Sequence, residues 1–212
     1  MVGRTIAGLL LLIFAFADSA QSGVCDGSVQ GPRHEFQVFA GYSPNSVTVI
    51  GSEPDRSFTL AGFSYGYLCH QTHSVNLYFT PAIMPVAVLR VPTQTIYRFD
   101  PFSQRRVQAH SVYGFGVAPL GFRVEFGRRR VRPFLETIGG LIASTEPIPE
   151  NQPNASGLNF LFDFGGGVRI RAGERRAVTL GYRFLHISNA GTTSFNPGVD
   201  NNVIYVGYSF LR

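Results

Sequence analysis

Near the end of the sequence, a His, a Ser and an Asp stand at a spacing that could support acyl transfer, in the stretch RFLHISNAGTTSFNPGVDNN at 183–202. A serine hydroxyl becomes an effective nucleophile when an imidazole takes its proton and a carboxylate orients and stabilises that imidazole. Ser188 is the candidate nucleophile, His186 the candidate base and Asp200 the candidate acid. These residue types at this spacing could form a Ser-His-acid triad.

The residues after the candidate nucleophile could form an oxyanion hole. The backbone N–H groups of Ala190 and Gly191, helped by the Asn189 side chain, could donate to the negative oxygen of a tetrahedral intermediate. Gly191 permits the tight backbone path that such donors need. We therefore take Asn189, Ala190 and Gly191 as candidate oxyanion-hole residues.

The elements that must position these residues are strands. After residue 22 no segment has a sustained helical period, and apolar residues alternate with other residues at a period of two. In LNFLFDFGGGVRIR, for example, Leu158, Phe160 and Phe162 fall on one face, opposite Asn159 and Asp163. Alternating runs are predicted at 34–43, 57–69, 73–89, 113–126, 131–143, 158–171, 177–188 and 201–211.

The connections between these runs alternate between short and long. Links such as HQT, RRR and GERR alternate with long segments such as 90–112 and 144–157. This alternation is typical of up-and-down barrels in the outer membrane, whereas a soluble barrel buries its apolar face and needs no polar lumen. The sequence therefore predicts an all-β fold, an eight-stranded antiparallel transmembrane β-barrel. Its lumen is expected to hold a paired network of charges, formed by Glu35, Arg123, Glu125, Arg132, Glu136, Asp163, Arg169, Arg171 and Arg183.

Strand parity places the candidate triad on the lipid-facing side of that barrel. His186 and Ser188 share the parity of Leu180, and Asp200 extrapolates to the apolar parity of the last run. Three polar groups on such a surface are costly unless they bond to one another, so we expect a hydrogen-bonded constellation. The alternative is an interfacial His, a loop Ser and a turn Asp that share no role, because polar residues also collect at barrel rims.

The N-terminal sequence predicts export. Residues 1–22 combine Arg4, an apolar run too short to span a bilayer, and small residues before a cleavage site, as in a secretory signal peptide. We expect residues 1–22 to be the signal peptide and 23–212 to form one barrel domain. The exported compartment permits a disulfide between Cys25 and Cys69, which we favour over a lipid anchor because Val24 departs from the lipidation motif.

All basic residues are Arg, and the formal net charge is +5. They are scattered along the chain, without the clustered basic face of a nucleic-acid-binding protein, so no nucleic-acid partner is expected. Arg makes bidentate contacts with phosphate and carboxylate, which favours anionic lipid head groups or internal ion pairs. Arg98, Arg105 and Arg106, in the long segment 90–112, are candidate substrate-binding residues.

The stretch HISNAG, followed by NPGVD with Asp200 fourteen residues after His186, resembles the active-site segment of the lipid A 3-O-deacylase (PagL) family of outer-membrane barrels. That family uses a His, a Ser two residues later and an acid near the start of the last strand, without a metal. The resemblance implies catalytic roles for His186, Ser188 and Asp200, no cofactor, and lipid A or lipopolysaccharide as substrate. In the best-known form of the family the acid is Glu, and here it is the shorter Asp200.

The predicted function is hydrolysis of the ester-linked 3-position acyl chain of lipid A in the outer leaflet of the bacterial outer membrane. Two alternatives stay open: a non-enzymatic outer-membrane barrel that binds lipopolysaccharide, and an esterase that acts on another membrane lipid. The sequence also leaves a homodimer open. The stretch CHQTH at 69–73 is interpreted as a surface turn, because a metal site would need a second ligand cluster.

Overall fold

The computed structural model describes residues 25, 32–97, 104–150, 155–192, 196 and 198–212. The predicted signal peptide at 1–22 lies outside these residues. The strands are β1 His34–Ser43, β2 Ser46–Val47, β3 Ser57–Gln71, β4 Val75–Phe79, β5 Ala82–Val91, β6 Gln94–Tyr97, β7 Gln104–Val107, β8 His110–Phe126, β9 Val131–Ile148, β10 Ser156–Arg171, β11 Arg176–Ser188 and β12 Gly198–Leu211.

These strands close into an antiparallel barrel with eight strand positions, as predicted. Neighbouring strands pair in sequence order from β8 to β12, and β1 closes the ring by pairing with both β12 and β3. β4 and β5 together occupy one strand position, because both pair with β3 on one side and with β8 on the other. The predicted run 73–89 thus occupies one strand position and is interrupted at Thr80 and Pro81, because proline has no N–H to donate to a neighbouring strand.

The predicted alternation of faces is also confirmed. In β10, Phe160, Phe162 and Phe164 point outward and are exposed, whereas Asn159 and Asp163 point into the lumen and are buried. The same alternation runs along β1 and β12. A surface of exposed aromatic and aliphatic side chains with a polar interior is what a barrel in a lipid bilayer requires.

The lumen holds the expected network of charges. Glu35 accepts hydrogen bonds from Arg123 at 2.6 Å and from Arg169 at 2.7 Å. Nearer the other end, Arg183 donates to Glu136 at 2.8 Å. Pairing offsets the cost of removing these charges from water. Of the nine predicted members only Arg171 stands apart, because its guanidinium donates to the carbonyl of Glu174 at the strand end.

The two ends of the barrel differ in the length of their connections. The short-turn end carries the links 72–74, 127–130 and 172–175, and the backbones of His34 and Arg212 pair there. The long-loop end carries the connections 44–56, 92–109, 149–155 and 189–197; the second of these contains the hairpin β6–β7, which was not predicted.

The predicted disulfide joins Cys25 to Cys69 across a sequence separation of 44 residues. Cys69 lies in β3 close to the short-turn end, so the bond ties the segment before β1 to the neighbouring strand. Because Cys69 is bonded to another cysteine, it is not a metal ligand in CHQTH. Among the described residues, no helix is long and apolar enough to cross a membrane.

Candidate active site

His186, Ser188 and Asp200 meet at the long-loop end of the barrel, where β11 ends and β12 begins. β12 starts at Gly198, three residues before the predicted run, and this extension brings the acid into the sheet. His186 and Asp200 are therefore direct cross-strand partners, and Ser188 is opposite Gly198. Paired residues stand side by side on one face of a sheet, so the register itself aligns the imidazole with the carboxylate.

The three side chains form a continuous chain of hydrogen bonds. The distance from His186 Nδ1 to Asp200 Oδ1 is 2.5 Å, and that from His186 Nε2 to Ser188 Oγ is 2.9 Å. Both distances lie in the hydrogen-bonding range that a nucleophile, its base and an orienting acid require. An imidazole that accepts from the serine at Nε2 and donates to the carboxylate at Nδ1 uses both of its nitrogens.

The candidate triad has the predicted outward parity, but little of it is exposed. The exposed fraction is 14% for the His186 side chain, 4% for Ser188 and zero for Asp200. The connection between β1 and β3 covers it, since β2 pairs with β12 at Asp200 and Asn201. Sequence parity identified the face and did not reveal this cover.

The cover supplies backbone donors that sequence reasoning missed. The N–H groups of Val49, Ile50 and Gly51 donate to Asp200 Oδ2 at 2.9, 2.6 and 2.8 Å. Three donors on one oxygen suit an anionic carboxylate, while the other oxygen faces His186. Asp200 is thus held on both sides, and its position does not depend on the imidazole alone.

Two glycines allow this close approach. A Cβ on Gly51 would lie 2.5 Å from the carbonyl oxygen of Gly198, so the covering segment could not come as near with any other residue. A Cβ on Gly198 would lie 2.7 Å from His186 Cε1. Both glycines stand next to the candidate triad, and their presence there was the one sequence signal that could have indicated tight packing.

The turn after Ser188 has the strained path expected of its Ala-Gly sequence. Ala190 and Gly191 both have positive φ values, 53° and 75°. The Gly191 N–H donates to Asn189 Oδ1 at 2.9 Å, so this predicted oxyanion donor is already engaged. Ala190 N–H, by contrast, donates to no described residue. Of the two predicted backbone donors, Gly191 thus bonds within the turn, and Ala190 does not.

Exposed apolar side chains surround the opening to Ser188. Phe160 is the cross-strand partner of Ser188, and Leu141 is the partner of Phe160 on the next strand. Leu158 continues this apolar strip along β10, and Val49 and Ile50 border the opening from the cover. The exposed fractions of Val49 and Ile50, 72% and 64%, are high for apolar residues. Such a surface suits a long acyl chain that arrives from the membrane.

The arginines proposed for substrate binding lie elsewhere at this end. Arg105 and Arg106 belong to β7, in the hairpin opposite Ile96 and Thr95, and their side chains lie outside the described residues. Arg98 also lies outside them. In the described part of the chain, no group of three or more His, Cys, Asp and Glu side chains is arranged to hold a metal ion.

An all-antiparallel barrel with an apolar exterior, a charged lumen and long loops at one end defines a small outer-membrane protein. The chain belongs to the lipid A 3-O-deacylase (PagL) family, because the sequence model of that family matches residues 89–209. The matched region contains all the candidate site residues and does not reach the covering segment.

Two similar proteins agree with this assignment. The lipid A deacylase PagL of Pseudomonas aeruginosa is 29% identical over 93 residues, which are 44% of this chain and 51% of that protein. The chain thus matches about half the length of this curated relative. The crystal structure of the outer membrane enzyme PagL superposes with a TM-score of 0.56 at 20% identity, over 81% of this chain and 97% of that one. This likeness establishes the shared fold and, with the relative, the location in the outer membrane.

Proposed function

We propose that the chain is a serine esterase that hydrolyses the ester-linked 3-position acyl chain of lipid A in the outer leaflet. The observation that carries this proposal is the hydrogen-bonded chain Ser188, His186 and Asp200 on the outward face of a barrel of this family. A hydrolase of soluble esters would not need to place its nucleophile on the lipid-facing side of a barrel.

The reaction follows from the two hydrogen bonds of His186. As Ser188 Oγ bonds to the acyl carbon, His186 Nε2 takes the hydroxyl proton, and Asp200 stabilises the imidazolium without taking the proton itself. The N–H of Ala190 donates to the negative oxygen of the tetrahedral intermediate. The bond from the acyl carbon to the sugar oxygen then breaks, and Nε2 returns the proton to that oxygen, which leaves an acyl-serine.

Water completes the cycle by the same route in reverse. His186 removes a proton from the water as its oxygen bonds to the acyl carbon, and the acyl-serine bond breaks. Nε2 then protonates Ser188 Oγ, and a 3-hydroxy fatty acid leaves into the membrane. No cofactor enters this sequence of steps, because both proton transfers use the same imidazole.

The shorter acid fits this mechanism because the strand register places it directly beside His186. Asp200 is the direct cross-strand partner of His186, and its Oδ1 reaches Nδ1 at 2.5 Å. The three N–H groups of the covering segment hold the other oxygen. The proposed role of Asp200 is therefore that of the Glu in other members of the family.

Substrate is proposed to arrive laterally, with its acyl chain along Leu141, Leu158 and Phe160. Its phosphates would then lie near the membrane surface, within reach of the hairpin that carries Arg105 and Arg106, which we propose as phosphate-binding residues. An apolar strip does not by itself select lipid A, so hydrolysis of another membrane lipid is the alternative that the test must separate.

The test uses purified barrel in detergent with lipid A or with phosphatidylethanolamine, and mass spectrometry of the products. We expect loss of one 3-hydroxy fatty acid from lipid A and no change in the phospholipid. Ser188→Ala and His186→Ala should each abolish the loss, and the double variant should be hardly worse, since triad members act as a unit. Heat-modifiable gel mobility controls for folding. Faster hydrolysis of the phospholipid than of lipid A would show that the phospholipid is the preferred substrate. Activity in a folded Ser188→Ala variant would rule out the serine mechanism.

A further inference from the structure

A second site lies at the short-turn end, the end opposite to the candidate active site. There the ends of β1, β11 and β12 enclose a cleft of about 950 Å³, lined by the four arginines Arg33, Arg175, Arg176 and Arg212 and by Phe36 and Phe210. We call it the basic cleft. It plays no part in the proposed hydrolysis, because it lies at the far end of the same strands.

The backbone around the basic cleft is fixed by the sheet. His34 and Arg212 exchange hydrogen bonds of 2.9 and 2.8 Å, and the Leu211 N–H donates to the carbonyl of Arg175 at 2.9 Å. All four arginines therefore either take part in these backbone bonds or adjoin a residue that does. The sheet therefore fixes the backbone positions from which these arginine side chains extend.

The basic cleft combines charge with apolar surface in the order that a lipid requires. Phe210 is the cross-strand partner of both Phe36 and Arg176, so the three side chains stand in a row on the outward face. Phe36 and Phe210 are each 51% exposed and continue the apolar exterior of the barrel. Arg176 is exposed at the edge of that exterior, where a bilayer changes from acyl chains to head groups.

Three of the arginines in the basic cleft form no ion pair within the described part of the chain. Among the described residues, no carboxylate forms an ion pair with the side chain of Arg175, Arg176 or Arg212, whereas the lumen residues Arg123, Arg169 and Arg183 are all paired. Glu174 is the one acidic side chain in the adjacent turn, and it meets Arg171 through its carbonyl. A guanidinium group that lacks a carboxylate partner can bind phosphate oxygens in bidentate geometry.

A second cleft at the same end repeats this composition. It measures about 610 Å³ and is lined by Arg128 and Arg129 of the turn 127–130 together with the outward-facing Phe126 and Val131. Arginines over outward aromatic or aliphatic residues thus occur at two separate turns. The recurrence shows that this composition is not confined to one pocket at the short-turn end.

We propose that the basic cleft binds the phosphate of an anionic phospholipid in the leaflet opposite to the candidate active site. The guanidinium groups of Arg175, Arg176 and Arg212 contact the head group, and its acyl chains lie along Phe36 and Phe210. Lipid A is a phosphate lipid as well, but its leaflet is at the long-loop end under the proposed function. The ligand of the basic cleft is therefore a glycerophospholipid, and binding serves to fix the depth of the barrel in the membrane.

Native mass spectrometry of the barrel in neutral detergent tests this proposal. Phosphatidylglycerol is compared with phosphatidylcholine that has the same acyl chains, and inorganic phosphate is added in a third arm. We expect phosphatidylglycerol to bind more tightly than phosphatidylcholine, and phosphate alone to displace little of it. Equal binding of the two lipids, or displacement of phosphatidylglycerol by phosphate at equal concentration, would overturn the proposal.

Variants locate the binding. Each arginine at a membrane surface contributes about fivefold to affinity, so Arg176→Gln should weaken phosphatidylglycerol binding about fivefold and the triple variant Arg175→Gln, Arg176→Gln, Arg212→Gln should weaken it about a hundredfold. Arg176→Lys should retain part of the affinity. Arg90→Gln is the matched control, because Arg90 is exposed on β5 at the long-loop end. Wild-type binding in the folded triple variant, or an equal loss in Arg90→Gln, would contradict the assignment.

Discussion

Gly198→Ala is the substitution that probes the candidate active site most finely, because it adds one methyl group and removes no catalytic atom. The new Cβ would lie 2.7 Å from His186 Cε1 and 3.3 Å from Nε2. Carbon atoms in contact prefer about 3.5–4.0 Å, so the imidazole must move by about 1 Å. That movement pulls Nε2 away from Ser188 Oγ, which is now 2.9 Å distant.

The expected loss follows from this displacement. A misplacement of about 1 Å in a reacting group costs about a hundredfold in rate, or about 2.7 kcal/mol in the activation free energy. The apolar strip that receives the acyl chain is untouched, so kcat should fall about a hundredfold while KM stays nearly constant. The φ of Gly198 is outside the left-handed region, and alanine can adopt the same backbone.

The assay is release of the fatty acid from lipid A, followed by mass spectrometry at several substrate concentrations. Gly139→Ala is the control, because a Cβ there would meet only Leu120 Cβ, at 4.0 Å. It adds the same methyl group to a strand glycine and should leave kcat unchanged. Wild-type kcat in Gly198→Ala, with normal heat-modifiable mobility, would refute the claim that the imidazole position governs the rate.

Three further substitutions give separate outcomes. Asp200→Asn should lower kcat by about 10⁴-fold, because the amide favours the wrong imidazole tautomer; a loss of less than tenfold, measured in the same assay, would remove Asp200 from the triad. Arg105→Gln with Arg106→Gln should raise the apparent KM for lipid A more than it lowers kcat, and an unchanged KM in initial-rate measurements would remove both residues from substrate binding. Cys69→Ser should lower the unfolding free energy by about 2–4 kcal/mol and leave kcat unchanged, since the disulfide is near the short-turn end. Denaturant titration measures the stability and the lipid A assay measures kcat. An unchanged denaturation midpoint in the variant would contradict the predicted loss of stability.

The barrel could be predicted from the sequence because its signal is local. Alternation along one strand depends only on which side chains face lipid, so the parity of Phe160, Asp163 and His186 was evident without knowledge of their partners. The interruption at Pro81 also had a local signal, since proline in a run marks a break in the ladder. The start of β12 at Gly198 had no such signal, because Asn201 and Asn202 do not continue the apolar alternation.

The cover over the candidate active site could not be predicted in this way. Its contribution is made by the backbone N–H groups of residues 49 to 51, which are 149 to 151 residues away from Asp200 in sequence. Backbone donors carry no side-chain signature, and a contact over such a separation leaves no period in the sequence. The bond from the Gly191 N–H to the Asn189 side chain is different, because it joins residues only two apart and Asn commonly bonds to the backbone two residues on.

Labelling with an alkyl fluorophosphonate tests the central claim most directly, because the reagent phosphonylates an activated serine and releases fluoride. Peptide mapping of the folded wild-type barrel should show one adduct, on Ser188, and His186→Ala should prevent its formation while the barrel stays folded. An adduct on another serine, no adduct on the folded protein, or equal labelling of His186→Ala would contradict the account that Ser188 is a nucleophile activated by His186.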